Sequence, residues 1–192
     1  MELFVKKLGA GPPLLILHGL YGSHENWLSV ARRMQKFYTL YIPDLRNHGN
    51  SPHTTSHSYE EMADDIRDLF DKENLQKTIL IGHSMGGKLA MYFADRYPEL
   101  IEDLIIVDIA PKSYLAEREY KSQIAQHRNI IAALQQFPVE SISSREEADE
   151  TLSSTIPKTE IRSFLLKNLI QNKIGQYAWS FNLDAIAKNI PV

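Results

Sequence analysis

One serine of this sequence has the surroundings of a catalytic nucleophile. It lies in the segment Gly82-His83-Ser84-Met85-Gly86, which fits the pattern Gly-x-Ser-x-Gly. In that pattern the serine occupies a strained strand-to-helix turn, and the flanking glycines are needed because side chains there would collide with neighbouring backbone. An apolar run precedes Ser84 and a helical pattern follows it. We therefore predict that Ser84 is a nucleophile, the alternative being a glycine-rich turn that only packs a helix against a strand.

A second turn supplies candidates for oxyanion binding. Residues 18–22 (His-Gly-Leu-Tyr-Gly) also follow an apolar run. In acyl transfer by a serine, one oxyanion donor is the backbone N–H just after the nucleophile, and the other comes from a loop after an earlier strand. The amides of Met85 and Leu20 fit these two roles. The alternative for residues 18–22 is a plain tight turn.

The elements that must position these turns alternate regularly in the first half of the chain. Helical patterns cover residues 23–37 and about 58–75, the second with a capping box of Ser58 and Glu61, and a further one ends near Tyr97. Between them lie four apolar runs without polar alternation, at residues 14–17, 39–42, 78–81 and 104–107. This order predicts an α/β fold with a mostly parallel sheet and helices on both of its faces.

The second half of the chain has a different pattern. No strand-like run is visible from 113 to 172, and an apolar stripe at helical spacing is followed by helical patterns near 145–153 and 160–172. The stripe consists of Tyr120, Ile124, His127, Ile131 and Leu134. We predict a core over 1–112, an inserted helical cap over 113–183 and a return towards the core over 184–192.

Composition excludes several classes of function. Hydrophobic residues make up 43% of the 192 residues, charged residues make up 23%, and the formal charge is −3, so there is no electrostatic footprint for nucleic acid or an anionic membrane. The absence of cysteine excludes disulfides, thiolate metal sites and a cysteine nucleophile. No apolar run approaches the roughly 18 residues of a spanning helix, and the start lacks a secretory h-region. We expect no membrane span and a cytoplasmic location.

Five segments together resemble the α/β-hydrolase superfamily, most closely the small bacterial YbfF-type esterases and their mitochondrial relatives. They are residues 17–23, 44–53 (Asp-Leu-Arg-Asn-His-Gly-Asn-Ser-Pro-His), 82–88, 107–111 (Val-Asp-Ile-Ala-Pro) and 179–183. The resemblance implies hydrolysis of small acyl esters by a Ser-acid-His triad, without a cofactor or metal. It also implies that Asp108 is the triad acid, although an aspartate at a strand end is also an ordinary cap.

The triad histidine is missing from its expected place. In this fold the chain order is Ser, then Asp or Glu, then His, but six of the seven histidines precede Ser84. His83 points away from the Ser84 hydroxyl, and His127 on the cap stripe is either a pocket residue or a satisfied buried histidine. We therefore expect the histidine and the last strands of the sheet to lie beyond Val192.

The remaining candidates concern binding. His18, Tyr21 and His83 are candidates for contacts with the substrate, and His18 is also expected to support the oxyanion turn. His48, His53 and His57 lie close together in a Gly/Pro-rich loop, where their spacing does not align them as metal ligands, so we predict no metal site.

The leading hypothesis is a carboxylic ester hydrolase working through an acyl-enzyme. Thioester hydrolysis, acyl transfer and C–C bond hydrolysis on the same residues remain open, because a triad does not identify the leaving group. A non-catalytic binding protein without the base is the alternative from another class.

Overall fold

The computed structural model describes residues 1–111, 121–172 and 174–189. The chain divides into two compact units, Met1–Pro111 and Lys112–Val192.

The first unit is built on a five-stranded sheet with the order β1-β3-β2-β4-β5. Its strands are β1 (Val5–Leu8), β2 (Pro13–Leu17), β3 (Thr39–Pro43), β4 (Thr78–His83) and β5 (Ile101–Val107). Strands β2 to β5 run parallel, as the four apolar runs predict, and β1 is an antiparallel addition at the β3 edge. The prediction of a mostly parallel α/β sheet is confirmed.

Three helices connect the strands. The predicted helix over 23–37 divides into a 3₁₀ turn, His24–Trp27, and α1, Leu28–Met34. Helix α2 spans Tyr59–Lys72 and α3 spans Met85–Arg96, with a short 3₁₀ turn, Pro98–Leu100, before β5. The predicted capping box is present: the Ser58 hydroxyl accepts the N–H of Glu61, whose carboxylate accepts the N–H of Ser58.

Both faces of β2, β3 and β4 are largely buried, which explains why these strands show no polar alternation, whereas Leu104 and Ile105 of β5 are 39% and 46% exposed. Leu15 and Leu17 of β2 pack in the cluster that contains α2 and α3. Leu14 and Ile16, which point to the opposite face, pack with Ala31 of α1. Neighbouring residues of one strand therefore enter two different cores.

The second unit contains four helices and a hairpin within its described residues. The helices are α4 (Lys121–Gln136), α5 (Arg145–Ser153), α6 (Thr159–Leu166) and α7 (Leu183–Asn189), with a 3₁₀ turn at Val139–Ser141. Ile131 and Leu134 of the predicted stripe are buried. Tyr120 and the side chain of Ile124 lie outside the described residues.

The prediction that residues 113–172 hold no strand is wrong. Helix α6 ends at Leu166, and Leu169–Gln171 (β6) pairs antiparallel with Tyr177–Trp179 (β7). Leu169 and Ile170 continue the helical spacing of α6, so periodicity alone extends that helix too far. The turn explains the change: Asn172 Oδ1 accepts the N–H groups of Ile174 and Gln176, and Gly175 has φ +83°.

None of the described helices combines the length and the apolar character needed to cross a membrane.

Candidate active site

Ser84 occupies a strained turn between β4 and α3. Its φ of 51° and ψ of −117° lie where residues other than glycine are rare, a conformation that costs of order 1–3 kcal/mol. Hydrogen bonds hold it there: the Ser84 N–H donates to the carbonyl of Val107 at 3.1 Å, and the Ser84 carbonyl accepts from Gly87 and Lys88 at 2.9 and 3.0 Å. The strained conformation of Ser84 is therefore held by hydrogen bonds to β5 on one side and to α3 on the other.

The glycines of the turn are required by close backbone packing. A Cβ on Gly82 would lie 2.3 Å from the carbonyl oxygen of Gly86. A Cβ on Gly86 would lie 2.5 Å from the carbonyl oxygens of Leu17 and His18. The collisions predicted for side chains at these positions are confirmed.

The turn at residues 18–22 lies against Ser84. A Cβ on Gly19 would approach the Cβ of Ser84 to 3.2 Å. The turn is closed by a hydrogen bond from the Gly22 N–H to the carbonyl of Gly19 at 2.9 Å. Met85 is the first residue of α3, where a backbone N–H has no acceptor within the helix. The structure thus brings Leu20 and Met85 to the same edge of the sheet as the Ser84 side chain.

Asp108 directly follows β5, the neighbour of β4, and β4 ends at His83, just before Ser84. His83 is paired with Val107, so Ser84 and Asp108 are the residues directly after a paired position. The two strands, β4 and β5, are direct neighbours in the sheet. Asp108 has φ +56° and is exposed.

Both ring nitrogens of His18 take part in hydrogen bonds. Its Nδ1–H donates to the carbonyl of Gly19 at 2.8 Å, and its Nε2 accepts the N–H of Leu45 at 2.9 Å. Burial lowers the pKa of His18, in keeping with this neutral tautomer. Neither ring nitrogen is left for a proton transfer or for a substrate.

The next two histidines in the sequence, His24 and His48, also have hydrogen-bonded rings. His48 donates from Nδ1 to the carbonyl of Arg46 at 3.0 Å and accepts the N–H of Tyr21 on Nε2 at 3.2 Å. His24 donates from Nδ1 to the fully buried carboxylate of Asp44 at 2.8 Å.

The other first-unit candidates occupy different environments. Tyr21 is 3% exposed, and burial raises the pKa of its hydroxyl. His83 is half-buried, with its ring centroid 6.5 Å from that of Trp27. Burial lowers the pKa of His57 to about 4, whereas His53 is exposed. Among the described residues no group of three or more histidine, aspartate or glutamate side chains could hold a metal ion.

Sequence reasoning missed a buried ionic network that holds the loop after β3. The guanidinium of Arg46 is 6% exposed and binds both carboxylate oxygens of Asp65, at 2.6 and 2.9 Å. It also contacts Ser56 at 3.0 Å and Glu61 at 2.9 Å. The Gly/Pro-rich composition of residues 44–57 suggested only a loop. An arginine followed by an aspartate, Asp65, on the buried face of the amphipathic helix α2 is the sequence signal for this network.

This fold and sequence match a known protein family and several of its members. A family model described as "alpha/beta hydrolase fold" matches residues 12–136. The sn-1-specific diacylglycerol lipase ABHD11 of Xenopus tropicalis is 39% identical over 189 residues, covering 94% of this chain and 56% of that protein. Esterase YbfF of Escherichia coli (strain K12) is 30% identical over 179 residues, covering 93% of this chain and 65% of that protein.

A solved structure gives the same result. A marine microorganism esterase superposes with a TM-score of 0.91 and 43% identity, over 98% of this chain and 71% of that one. The chain thus spans only part of the proteins it matches. With the strained serine turn and the parallel sheet beneath it, these matches show that the chain belongs to the α/β-hydrolase fold family.

Proposed function

We propose that this chain carries the nucleophile, the oxyanion donors and the acid of a serine hydrolase that cleaves small carboxylic esters. The observation that carries the proposal is the strained Ser84 turn, with the glycine turn at 18–22 on one side and the start of α3 on the other. The relatives named esterase and diacylglycerol lipase support an ester as the substrate class.

In this proposal, Ser84 Oγ attacks the ester carbonyl carbon, and the N–H groups of Leu20 and Met85 stabilise the oxyanion of the tetrahedral intermediate. The alkoxy group leaves with a proton as the alcohol, and an acyl-Ser84 ester remains. Water then attacks that ester, which releases the carboxylic acid and restores the hydroxyl. An imidazole moves the proton in each step, and Asp108 orients it.

We assign the base to none of the seven histidines of this sequence. His18, His24 and His48 have ring nitrogens committed to buried partners, as described above. Among the described residues, no imidazole is hydrogen-bonded to Ser84 Oγ. His127 is the one histidine that follows Asp108 in the sequence, and it belongs to the second unit. A test of the nucleophile must therefore supply an imidazole.

The experiment measures hydrolysis of p-nitrophenyl acetate by the chain, with and without added imidazole, and compares Ser84→Ala. Free imidazole is a general base that needs no protein segment, so we expect it to increase the Ser84-dependent rate. Because imidazole also cleaves this ester by itself as a nucleophile, the rate in imidazole without protein is subtracted. Mass spectrometry after mixing should show an acetyl adduct on the peptide that contains Ser84. Ser84→Ala should lose both signals while circular dichroism stays unchanged. An equal rate and adduct in Ser84→Ala would show that the nucleophile is misassigned.

A further inference from the structure

The peptide groups on either side of Leu20 are each held by a buried histidine. The first group joins Gly19 to Leu20, and its carbonyl oxygen accepts from His18 Nδ1 at 2.8 Å and from the Gly22 N–H at 2.9 Å. The second group joins Leu20 to Tyr21, and its N–H donates to His48 Nε2 at 3.2 Å. Both rings are at most 1% exposed.

The first of these bonds sets the direction of the Leu20 amide. A trans peptide group is planar, so its N–H points opposite to its carbonyl. Two donors that fix the carbonyl oxygen of Gly19 therefore also fix the direction of the Leu20 N–H. The second bond holds the next peptide group, at a residue whose φ of +59° needs support because Tyr21 is not glycine.

The tautomer of His48 follows from its partners. Its Nδ1 faces the carbonyl of Arg46 at 3.0 Å and must carry the proton, so Nε2 keeps the lone pair that accepts from Tyr21. The backbone N–H of His48 also donates to the carbonyl of Leu45 at 3.0 Å. The ring packs edge-on against His18 with centroids 5.1 Å apart.

His48 is anchored in turn to helix α2. It lies two residues after Arg46, whose guanidinium is bound to Asp65 on that helix. The Leu20 amide is therefore connected to the body of the first unit through His48 and Arg46 rather than through its own loop alone.

From this arrangement we propose that His48 is a positioning residue for the oxyanion donor, and that it acts with His18 to hold the Leu20 N–H in the direction needed by the transition state. The inference rests on the proposed function, because it assigns the Leu20 amide an oxyanion. Its consequence is a particular kinetic pattern. A misdirected donor weakens binding of the transition state but not of the ester, so kcat should fall while KM stays the same.

Two substitutions of His48 separate this role from simple packing. His48→Gln places an amide oxygen near the position of Nε2 and can still accept from the Tyr21 N–H. His48→Asn is shorter, keeps a donor near Arg46 and loses the acceptor. His57→Gln is the matched control, since the His57 ring packs on His48 at 5.5 Å but has no hydrogen bond to residues 18–22.

The test measures kcat and KM for p-nitrophenyl acetate at a fixed imidazole concentration, together with hydrogen exchange of the Tyr21 amide. We expect His48→Asn to lower kcat by roughly ten- to a hundredfold at unchanged KM, and to speed exchange of the Tyr21 amide. His48→Gln should retain most of the wild-type kcat and most of the protection of the Tyr21 amide. His57→Gln should leave both quantities near wild type. Thermal unfolding shows the temperature range in which every variant is folded.

Two results would overturn the inference: a kcat for His48→Asn within about twofold of His48→Gln, or a Tyr21 amide that exchanges freely in the wild type. Failure of the proposed function is a separate result, in which the wild type shows no turnover above Ser84→Ala. In that case the exchange of the Tyr21 amide in the wild type and in His48→Asn still decides whether His48 holds the loop.

Discussion

The two units of the chain stabilise their loops by different means. The first unit buries charged groups and imidazoles next to irregular backbone: His18, Asp44, Arg46 and His48 are at most 6% exposed. In the described part of the second unit, the buried polar residues are Arg162 and Asn168. The guanidinium of Arg162 pairs with Asp149, whose side chain is 39% exposed.

This difference follows from what each backbone has to do. The first unit keeps Tyr21, Ser84 and Asp108 at positive φ, and each such residue needs hydrogen bonds that outweigh its strain. Buried polar networks that are fully satisfied can fix such a backbone in one conformation. The second unit presents regular helices and one hairpin, for which apolar packing is sufficient. Buried polar groups therefore mark the part of the chain whose backbone takes strained conformations, which is also where we propose the active site.

The largest effect that we predict separates exposed from buried carboxylates within the first unit. In a protein that supplies the triad histidine itself, Asp108→Asn should lower ester turnover by several powers of ten, because an amide favours the wrong imidazole tautomer. Its melting temperature should stay near wild type, since Asp108 is exposed. Asp44→Asn, at a fully buried carboxylate that accepts from His24 and Asn50, should instead destabilise the fold. A loss of less than about tenfold in Asp108→Asn would place the acid elsewhere.

The next prediction compares Arg46 with Arg162, the arginines that are buried within the described part of the chain. Arg46→Met keeps an aliphatic side chain but leaves the buried carboxylate of Asp65 with one cationic partner, the N-terminal ammonium at 2.9 Å. Breaking a buried pair in this way costs about 3–5 kcal/mol of unfolding free energy. Arg162→Met should cost less, because the carboxylate of Asp149 remains hydrated.

The sequence offers one tryptophan for each unit, which makes this comparison measurable. Trp27 belongs to the first unit and Trp179 to the second, and the chain contains two tryptophans in all. Replacing either one by phenylalanine leaves the other as a fluorescence probe during urea unfolding. Arg46→Met should shift the Trp27 transition more than Arg162→Met shifts the Trp179 transition. Equal shifts would contradict the contrast between the units.

A smaller effect concerns pH. Burial, and secondly the charge of Arg46, lower the pKa of His57 to about 4 from 6.5. The unfolded chain therefore binds the proton more tightly, so His57 adds stability above pH 6.5 that is lost as pH falls towards 4. The loss is at most about 3 kcal/mol for this group. The free energy of unfolding, measured from Trp27 fluorescence at several pH values, should decrease as pH falls from 6.5 to 4. His57→Gln should reduce this slope of unfolding free energy against pH. Burial also lowers the pKa of His48 and His18, so part of the slope should remain.

The smallest predicted effect should be equal in the two units. Ser58 caps α2 and Ser144 caps α5, each by accepting the N–H of a glutamate three residues later, at 3.3 and 3.0 Å. Replacing either serine by alanine should cost about 1 kcal/mol of unfolding free energy. Because each cap is a local hydrogen bond, the stabilisation that it gives should not depend on the surrounding polar network. A Ser58→Ala cost well above that of Ser144→Ala would show that the cap of α2 is coupled to Arg46 through Glu61.

Local patterns were sufficient to predict much of the first unit. Buried parallel strands have an apolar run that is hard to mistake, and the Ser58 capping box and the serine turn depend on residues a few positions apart. Strand β1 escaped prediction because its sequence, Val-Lys-Lys-Leu, has exposed lysines in its centre and gains its hydrogen bonds from β3, more than thirty residues away in the chain.

Non-local partners also explain the other differences. The hairpin of β6 and β7 depends on Asn172 and Gly175 interrupting an apolar pattern that otherwise fits a helix. The loop at 44–57 has a turn-forming composition, yet residues 44–48 are buried because Asp65 and the peptide groups near Tyr21 lie within reach of its side chains. No local pattern contains that information.

The three bonds that join these segments also affect the order in which the molecule folds. They connect His24 with Asp44, Tyr21 with His48, and Arg46 with Asp65, across sequence separations of 20, 27 and 19 residues. Each requires closure of a long segment of chain, whereas α2 and α3 form from neighbours in sequence. In refolding, helical structure should therefore appear before the turn at residues 18–22 is fixed. A partly folded molecule would have its helices before the Leu20 amide, the proposed oxyanion donor, is held in place. Recovery of ester turnover should therefore lag behind recovery of the far-ultraviolet circular dichroism signal.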